Sequence, residues 1–456
     1  MSLRHLSPRE RIEAIVDPGS VASAGARFET SRPSAHLARW GIAAQDDDGI
    51  VAARGTVHGV TVLIAAQDER FLSGSAGANH AGVLRALFDA ARDGRPDAVV
   101  LLIASGGVRL HEANPAELSL ARALAAMLDA RAAGVPVLAI GVGDVFGGSS
   151  VVACAAERTA MLPGTRIGLS GPRVLELARG AREFDAADAT AVAAVYGAEA
   201  RSRNGQVELL ADDADAVRSW IELCARGSEP FAAHVEAMHG RLAACLPDRP
   251  LAPPSFAPPV AGAERVDAAG WLWRLRDRRA WIARAPGNAS FGPEEAHALD
   301  TVLLRTLASR DDCAGSTLVV IEDSTGHAIS RAAELMFVSR YLGHHAATLA
   351  LLRARGVRIV GLLTGTGHSA AFFANALQAP AVVALADARV VAMEPAAIAR
   401  VTRLPAEKIA ALIEGDPLVG HPVRQFAGWG GVDEVRAGAV DEAVEAIVGR
   451  ERSGAR

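Results

Sequence analysis

The chain has 456 residues and a formal net charge of −5 at neutral pH, with half of its residues hydrophobic and only 4% aromatic. That length is enough for two domains, each burying its own core, and an apolar content dominated by Ala, Val and Leu points to layered α/β architecture. Acids and bases are interspersed with no basic stripe, which excludes nucleic acid as a partner, and Arg274 to Arg284 reads as a solvated face. Cys154, Cys224, Cys245 and Cys313 lie far apart without a CxxC pair, so neither a structural zinc nor a disulfide framework is expected. The first residues carry Arg4, Arg9, Glu10 and Arg11 and no apolar core of signal-peptide length, so no export is implied and the expected location is cytoplasmic.

In chain order, Val99 to Ile103 reads as a buried strand running into the turn "SGGVRLHEAN". The next helix is expected to start at Asn114, with Pro115 at its first position and Glu117 closing a capping box, and to stop at Gly134. A strand over Val135 to Val142, the glycines of "GDVFGGSS", a small-residue helix over Ser149 to Ala156 and a strand near Thr159 to Leu162 follow. A Pro-rich linker at 246–263 divides a first domain, 1–245, from a second, 264–456.

The second half repeats the order of the first. "TLVVIEDSTGHAISRAAE" gives strand, Gly turn and helix, and "VRIVGLLTGTGHSAAFFANAL" gives strand, Gly turn and helix again. Gly106 and Gly147 are 41 residues apart, as are Gly326 and Gly367, which suggests duplication of one fold. Ile359 to Ala386 lacks charge over more than a membrane span, but His368, Ser369, Asn375, Gln378 and Pro380 make it strand, turn, helix and strand.

A Gly turn between a strand end and a helix start presents backbone N–H groups, and without a Cβ it lets a ligand oxygen approach closely. Two such turns facing each other give converging donors, the arrangement of an oxyanion hole, whereas any one of them alone is a tight turn or cap. Such a hole serves an enolate or a tetrahedral oxyanion, and enolate chemistry beside a thioester carbonyl needs no nucleophile.

"SPRERIEAIVDPGS", "SGGVRLHEAN" and "GTRIGLSGPRVLE" resemble segments of carboxyltransferase subunits of the crotonase superfamily, most closely the β subunit of biotin-independent malonate decarboxylase. "DSTGHAISRAAE" and "GTGHSAAFFANAL" resemble the γ subunit of that enzyme, so the chain resembles a β and γ fusion. The resemblance implies two tandem crotonase-like α/β domains of ClpP/crotonase type, built from β-β-α spiral units, with the active site where the halves face each other. It implies decarboxylation of a malonyl thioester on the phosphopantetheine-type arm of an acyl carrier protein. The implied partners are that carrier subunit and an acetyl/malonyl transferase subunit, in a hetero-complex or a homodimer of the fusion. No membrane partner, metal, biotin or directly bound cofactor is implied.

Carried over by position, Gly106, Gly107, Gly147 and Gly148 would hold the thioester oxygen, and Gly326 and Gly367 would line a second hole for the departing carboxylate or carbon dioxide. The four-cysteine zinc ribbon of bacterial acetyl-CoA carboxylase β subunits is missing. Ser369-Ala370-Ala371 stands where biotin-using relatives often have further glycines, which favours direct decarboxylation over carboxyl transfer to biotin, the close alternative.

His327 and His368 are candidate proton donors to the enolate, or helix N-terminal residues without a catalytic task. Arg109 is a candidate anchor for the malonyl carboxylate or a carrier phosphate, or the ion-pair partner of Glu112. Ser149 is a substrate-binding candidate or a helix cap. "GHSAA" also has the form of a nucleophile elbow, with Ser369, Asp416 and His421 as the triad of a serine hydrolase. A third reading makes the two halves a non-catalytic scaffold, against which stand the glycines at both pairs of turns.

Overall fold

A computed structural model describes residues 1–23, 33–248, 258–275, 279–285, 289–309, 312–402, 404–416 and 418–449. Half of the expected linker, 249–257, lies outside the described residues. The chain forms two compact units: the first holds Met1–Glu112, Ser119–His234 and Ile329–Gly343, the second Ala113–Leu118, Val235–Ala328 and His344–Arg456. A short stretch of the second half of the sequence, 329–343, is thus part of the first unit.

The first unit is built on a sheet whose path runs Ala22–Ser23, Ile50–Val57, Val60–Gln67, Ala98–Ser105, Val137–Phe146, Arg158–Met161, Glu208–Leu209, with Ile167–Gly168 pairing Val137–Phe146 off that path. Every residue of Ala98–Ser105 is buried, as a central parallel strand with both faces covered requires. Ile64, Val100, Leu102, Leu138 and Ile140 of successive strands join Ile12 and Ile15 of the helix Pro8–Ile15 in one core. The strand Val137–Phe146 pairs first with Arg158–Met161 and, at Val145 and Phe146, with Ile167–Gly168. With a register shift against Ala98–Ser105 before Ser105 pairs Val145, that change of partner leads the strand to the Gly turn.

The second unit repeats the plan. Its sheet runs Glu434–Arg436, Ala381–Leu385, Arg358–Leu363, Thr317–Glu322, Ala280–Arg284, Leu272–Leu275, Ala263–Arg265. Two short pairs stand beside it, Ala289–Phe291 with Ser324–His327 and Thr366–His368 with Arg389–Val391, all parallel. Strand, short strand and helix recur here as 358–363, 366–368 and 369–374, so Ile359 to Ala386 folds as read. Among the described residues no helix is long and apolar enough to cross a membrane.

One expected device fails. The helix Ala113–Ala132 begins without a side-chain cap. The Asn114 amide donates instead to the Gly420 carbonyl at 2.9 Å, and the Asn114 N–H donates to the Leu418 carbonyl. Glu117 is buried with its Oε2 unpartnered, and burial pushes its carboxyl up to about 8. A long-range backbone acceptor has displaced the local capping box.

Candidate active site

In the first unit the strand Ala98–Ser105 delivers Gly106 and Gly107, and Val137–Phe146 delivers Gly147 and Gly148. A methyl group on Gly107 would lie 3.0 Å from the Gly147 Cα, and one on Gly147 would lie 3.0 Å from the Gly107 Cα. The two turns therefore meet backbone to backbone. Gly107 has φ +100° and Gly147 φ +58°, left-handed values that favour glycine independently of the space.

The glycines themselves are not the open donors, with one exception. Gly106 N–H donates to the Ser73 carbonyl at 2.8 Å, Gly107 N–H to Ser105 Oγ at 3.2 Å and Gly147 N–H to the Leu169 carbonyl at 3.0 Å. Among the described residues the N–H groups of Gly148 and Val108 have no hydrogen-bond partner. The geometry puts one open donor after each turn. The first three glycines shape the turns and the next residues present the N–H groups.

The structure places two side chains that have alternative readings. Arg109 is wholly buried, pairing Asp48 at 2.5 Å and Glu112 at 3.0 Å and donating to the Ser75 carbonyl at 2.9 Å. A guanidinium with no exposed surface and two carboxylates of its own ties the Asp48 turn to the segment 108–112 after the Gly turn, as the ion-pair reading expects. Ser149 is not a cap: its hydroxyl lies 2.8 Å from Ser105 Oγ, tying the base of one turn to the helix after the other.

In the second unit Gly326 has φ +99° and its N–H reaches Ser324 Oγ at 3.4 Å, the conformation and serine partner of Gly107. The structural repeat thus matches Gly326 with Gly107, one residue on from Gly106. A methyl on Gly326 would meet the His368 ring, with Nδ1 at 3.2 Å, so here an imidazole covers the turn. Burial lowers the His368 pKa, against the raising influence of Glu394 and of the Thr325 backbone. Burial, with the neighbouring His368 charge, takes His327 down to about 3, so at pH 7 it is neutral and any proton it passes comes from an imidazole N–H. Gly367 is dictated by packing, since a methyl there would lie 2.9 Å from the Phe372 ring.

The hydrolase triad is not assembled. Ser369 does have the φ of +51° that a nucleophile elbow shows, but its hydroxyl faces His327 Nδ1 at 3.5 Å. His421 Nδ1 is engaged by Arg389 at 2.8 Å, and Asp416 Oδ1 accepts the Leu418 N–H.

Behind the Gly326 turn lies a buried polar chain that sequence reasoning missed. Asp300 Oδ1 is 2.7 Å from His345 Nδ1, His345 Nε2 is 3.0 Å from Asn375 Oδ1, and Asn375 donates to Glu322 Oε2 at 2.6 Å. Burial opposes a charge on His345, but Asp300 and Asn375 raise its pKa, and burial carries Glu322 up to about 7 against hydrogen bonds from Ser324 and Asn375. The one signal in the sequence was a carboxylate ending the apolar run "TLVVIE". Among the described residues no group of three or more His, Cys, Asp or Glu side chains is arranged to hold a metal ion.

The carboxyl transferase domain profile matches residues 5–235, half of the chain. This chain belongs to the carboxyl transferase family. Residues 287–453 match the malonate decarboxylase gamma subunit. The malonyl-S-ACP:biotin-protein carboxyltransferase MADC of Malonomonas rubra is 33% identical over 238 residues, 48% of this chain and 73% of that protein. The acetyl-coenzyme A carboxylase carboxyl transferase subunit beta of Fusobacterium nucleatum is 30% identical over 179 residues, 38% of this chain and 59% of that protein. A chain of a Pseudomonas malonate decarboxylase hetero-tetramer, solved with malonate, is 31% identical with a TM-score of 0.50, covering 55% of this chain and 94% of that one. This carboxyl transferase is thus a β and γ fusion of the malonate decarboxylase type, with crotonase-like architecture.

Proposed function

We propose that this chain decarboxylates a malonyl thioester carried by an acyl carrier protein to the acetyl thioester and carbon dioxide. The observation that carries the chemistry is the meeting of the Gly107 and Gly147 backbones with the Val108 and Gly148 N–H groups open beside them. As the C–C bond to the carboxylate breaks, its electron pair passes into the thioester and the negative charge grows on the thioester oxygen. Two preformed N–H donors stabilise that charge more than the ground-state carbonyl, lowering the barrier by about 3 kcal/mol each. A proton then adds to the enolate carbon to give the acetyl group.

Gly326, Gly367, His327 and His368 form a second group of proposed site residues, whose imidazoles are the proton donors of this reading. Because His327 is neutral at pH 7, delivery runs through an imidazole N–H or a water it orders. The acyl group rides on a phosphopantetheine-type arm, and the partners are the carrier protein and a transferase subunit that exchanges acetyl for malonyl. The assembly is a hetero-complex in the cytoplasm, without biotin.

A second reading, carboxyl transfer to biotin on another protein, is favoured by the name of the Malonomonas relative, a malonyl-S-ACP:biotin-protein carboxyltransferase. Carbon dioxide release from a malonyl carrier-protein thioester with avidin present separates the two. Release with one acetyl thioester formed per carbon dioxide supports decarboxylation. Turnover only when biotin is supplied supports transfer.

A further inference from the structure

The segment 329–343, which the sequence places in the second half, grips the Gly147 turn of the first unit from two sides. From one side, the buried Glu334 carboxylate accepts the Ser170 N–H at 2.6 Å and the Leu169 N–H at 3.2 Å. Leu169 in turn offers its carbonyl to the Gly147 N–H at 3.0 Å. The same stretch pairs Val145 and Phe146 with Ile167 and Gly168, so Glu334 fixes the strand against which Val137–Phe146 ends. A side chain at Gly168 would collide with this arrangement, its Cβ lying 2.9 Å from Glu334 Oε2 and 2.5 Å from the Tyr196 ring.

From the other side, Ser339 Oγ lies 2.8 Å from Ser150 Oγ, and the Ser150 hydroxyl reaches the Gly147 carbonyl at 2.7 Å. Gly343 closes on the helix Gly148–Cys154, where a methyl would be 3.0 Å from the Val151 carbonyl and the Ala155 nitrogen. The N–H and the carbonyl of Gly147 are therefore both held, at one remove, by this one segment. What stays open is the next donor, Gly148 N–H.

A buried carboxylate is costly unless its lone pairs are filled, and here backbone N–H groups fill them while Arg201 stands 3.9 Å away. The Tyr196 hydroxyl beside it is buried and has no hydrogen-bond partner among the described residues. Arg201 itself lies on the Phe337 ring at 4.3 Å, so the segment is fixed at Phe337 as well as at Glu334 and Ser339. An expensive group kept at this place, with each of its oxygens accepting a backbone N–H of 169–170, has a positional task.

We propose that Glu334 is a positioning residue of the reaction: through Leu169 and Ser170 it sets the Gly147 turn, and so aims the Gly148 N–H, with Ser339 steadying the same turn through Ser150. The γ-type half thus contributes to the hole of the carboxyltransferase-type half through Leu169, Ser170 and Ser150. The kinetic part of this inference rests on the proposed decarboxylation, and the structural part does not.

The test uses the full chain and E334Q, in which an amide NH2 must face a backbone N–H that the carboxylate accepted. Amide hydrogen exchange is followed over 144–152 and over the second-unit strand 358–363, together with kcat and KM for a malonyl carrier-protein thioester. The expected result is at least tenfold faster exchange at 144–152 with 358–363 unchanged, and kcat lower by 10- to 100-fold with KM within twofold. Unchanged exchange at 144–152, or wild-type kcat in E334Q, overturns the proposal. If E334Q does not fold, S339A is read in the same way, with exchange and kcat each expected to change three- to tenfold and no change in either overturning it. Faster exchange in a protein whose wild type releases no carbon dioxide upholds the positioning and rejects the decarboxylase.

Discussion

The two turns at Gly107 and Gly326 have the same φ to within a degree and the same serine two residues before, yet they face different groups. Opposite Gly107 stands another glycine backbone, with nothing titratable between them. Opposite Gly326 stands the His368 imidazole, with the Ser369 hydroxyl and His327 next to it. One duplicated frame thus has two surroundings: backbone dipoles of fixed direction at one turn pair, and imidazole and hydroxyl side chains at the other. Fixed donors suit charge that appears in a transition state, and imidazoles suit a proton that must arrive afterwards.

If that contrast is right, the largest effect comes from closing the bare pair. Gly107→Ala puts a methyl 3.0 Å from the Gly147 Cα and the Phe146 carbonyl in a left-handed backbone, and kcat should fall about 10²- to 10³-fold. Steady-state kinetics on protein shown to be folded by circular dichroism measures it. Next is Arg109→Ala, which leaves Asp48 and Glu112 buried without their cation. It should lower stability by about 3–5 kcal/mol in urea unfolding while KM of the folded enzyme stays within twofold. A raised KM would restore Arg109 as a substrate anchor.

On the imidazole side, His368→Asn should lower kcat by about tenfold, because water can take over delivery of the proton and leaves only part of a positioned acid's contribution to be lost. The solvent deuterium isotope effect on the variant should rise as protonation becomes slower. The smallest effect concerns Glu117. Its carboxyl titrates near 8 in the folded chain and near 4.5 in the unfolded one, so between those values only the folded state keeps the proton, and stability falls as pH rises through that window. Glu117→Gln, which needs no proton, should therefore raise the melting temperature by a few degrees at pH 8 and by less at pH 5. Equal shifts at the two pH values would contradict the burial-raised carboxyl.

Much of this was readable in advance, and the parts that were not have a common cause. The strand, Gly turn and helix order follows from local period and glycine placement, and it fixed the position of both pairs of turns. The matching of Gly326 was off by one residue because it depends on which N–H the preceding serine accepts, a contact that spacing does not encode. Asn114 and Glu117 have the letters of a capping box, but the Asn114 amide goes to a carbonyl 306 residues away. Glu334 ends the quoted stretch "DSTGHAISRAAE" with no local sign of a task, and only the return of 329–343 to the first unit brings it to Leu169 and Ser170. Arg109 stands beside a Gly turn, where an anchor and an internal ion pair look alike in sequence, and only the structure shows that it is buried between Asp48 and Glu112.

The most direct test of the central claim is carbon dioxide release from malonyl carrier-protein thioester by the purified chain, with avidin present and the acetyl thioester quantified in parallel. The account predicts release without biotin, one acetyl thioester per carbon dioxide, and loss of both in Gly107→Ala. Carboxyl transfer to added biotin, with no release in its absence, would contradict it.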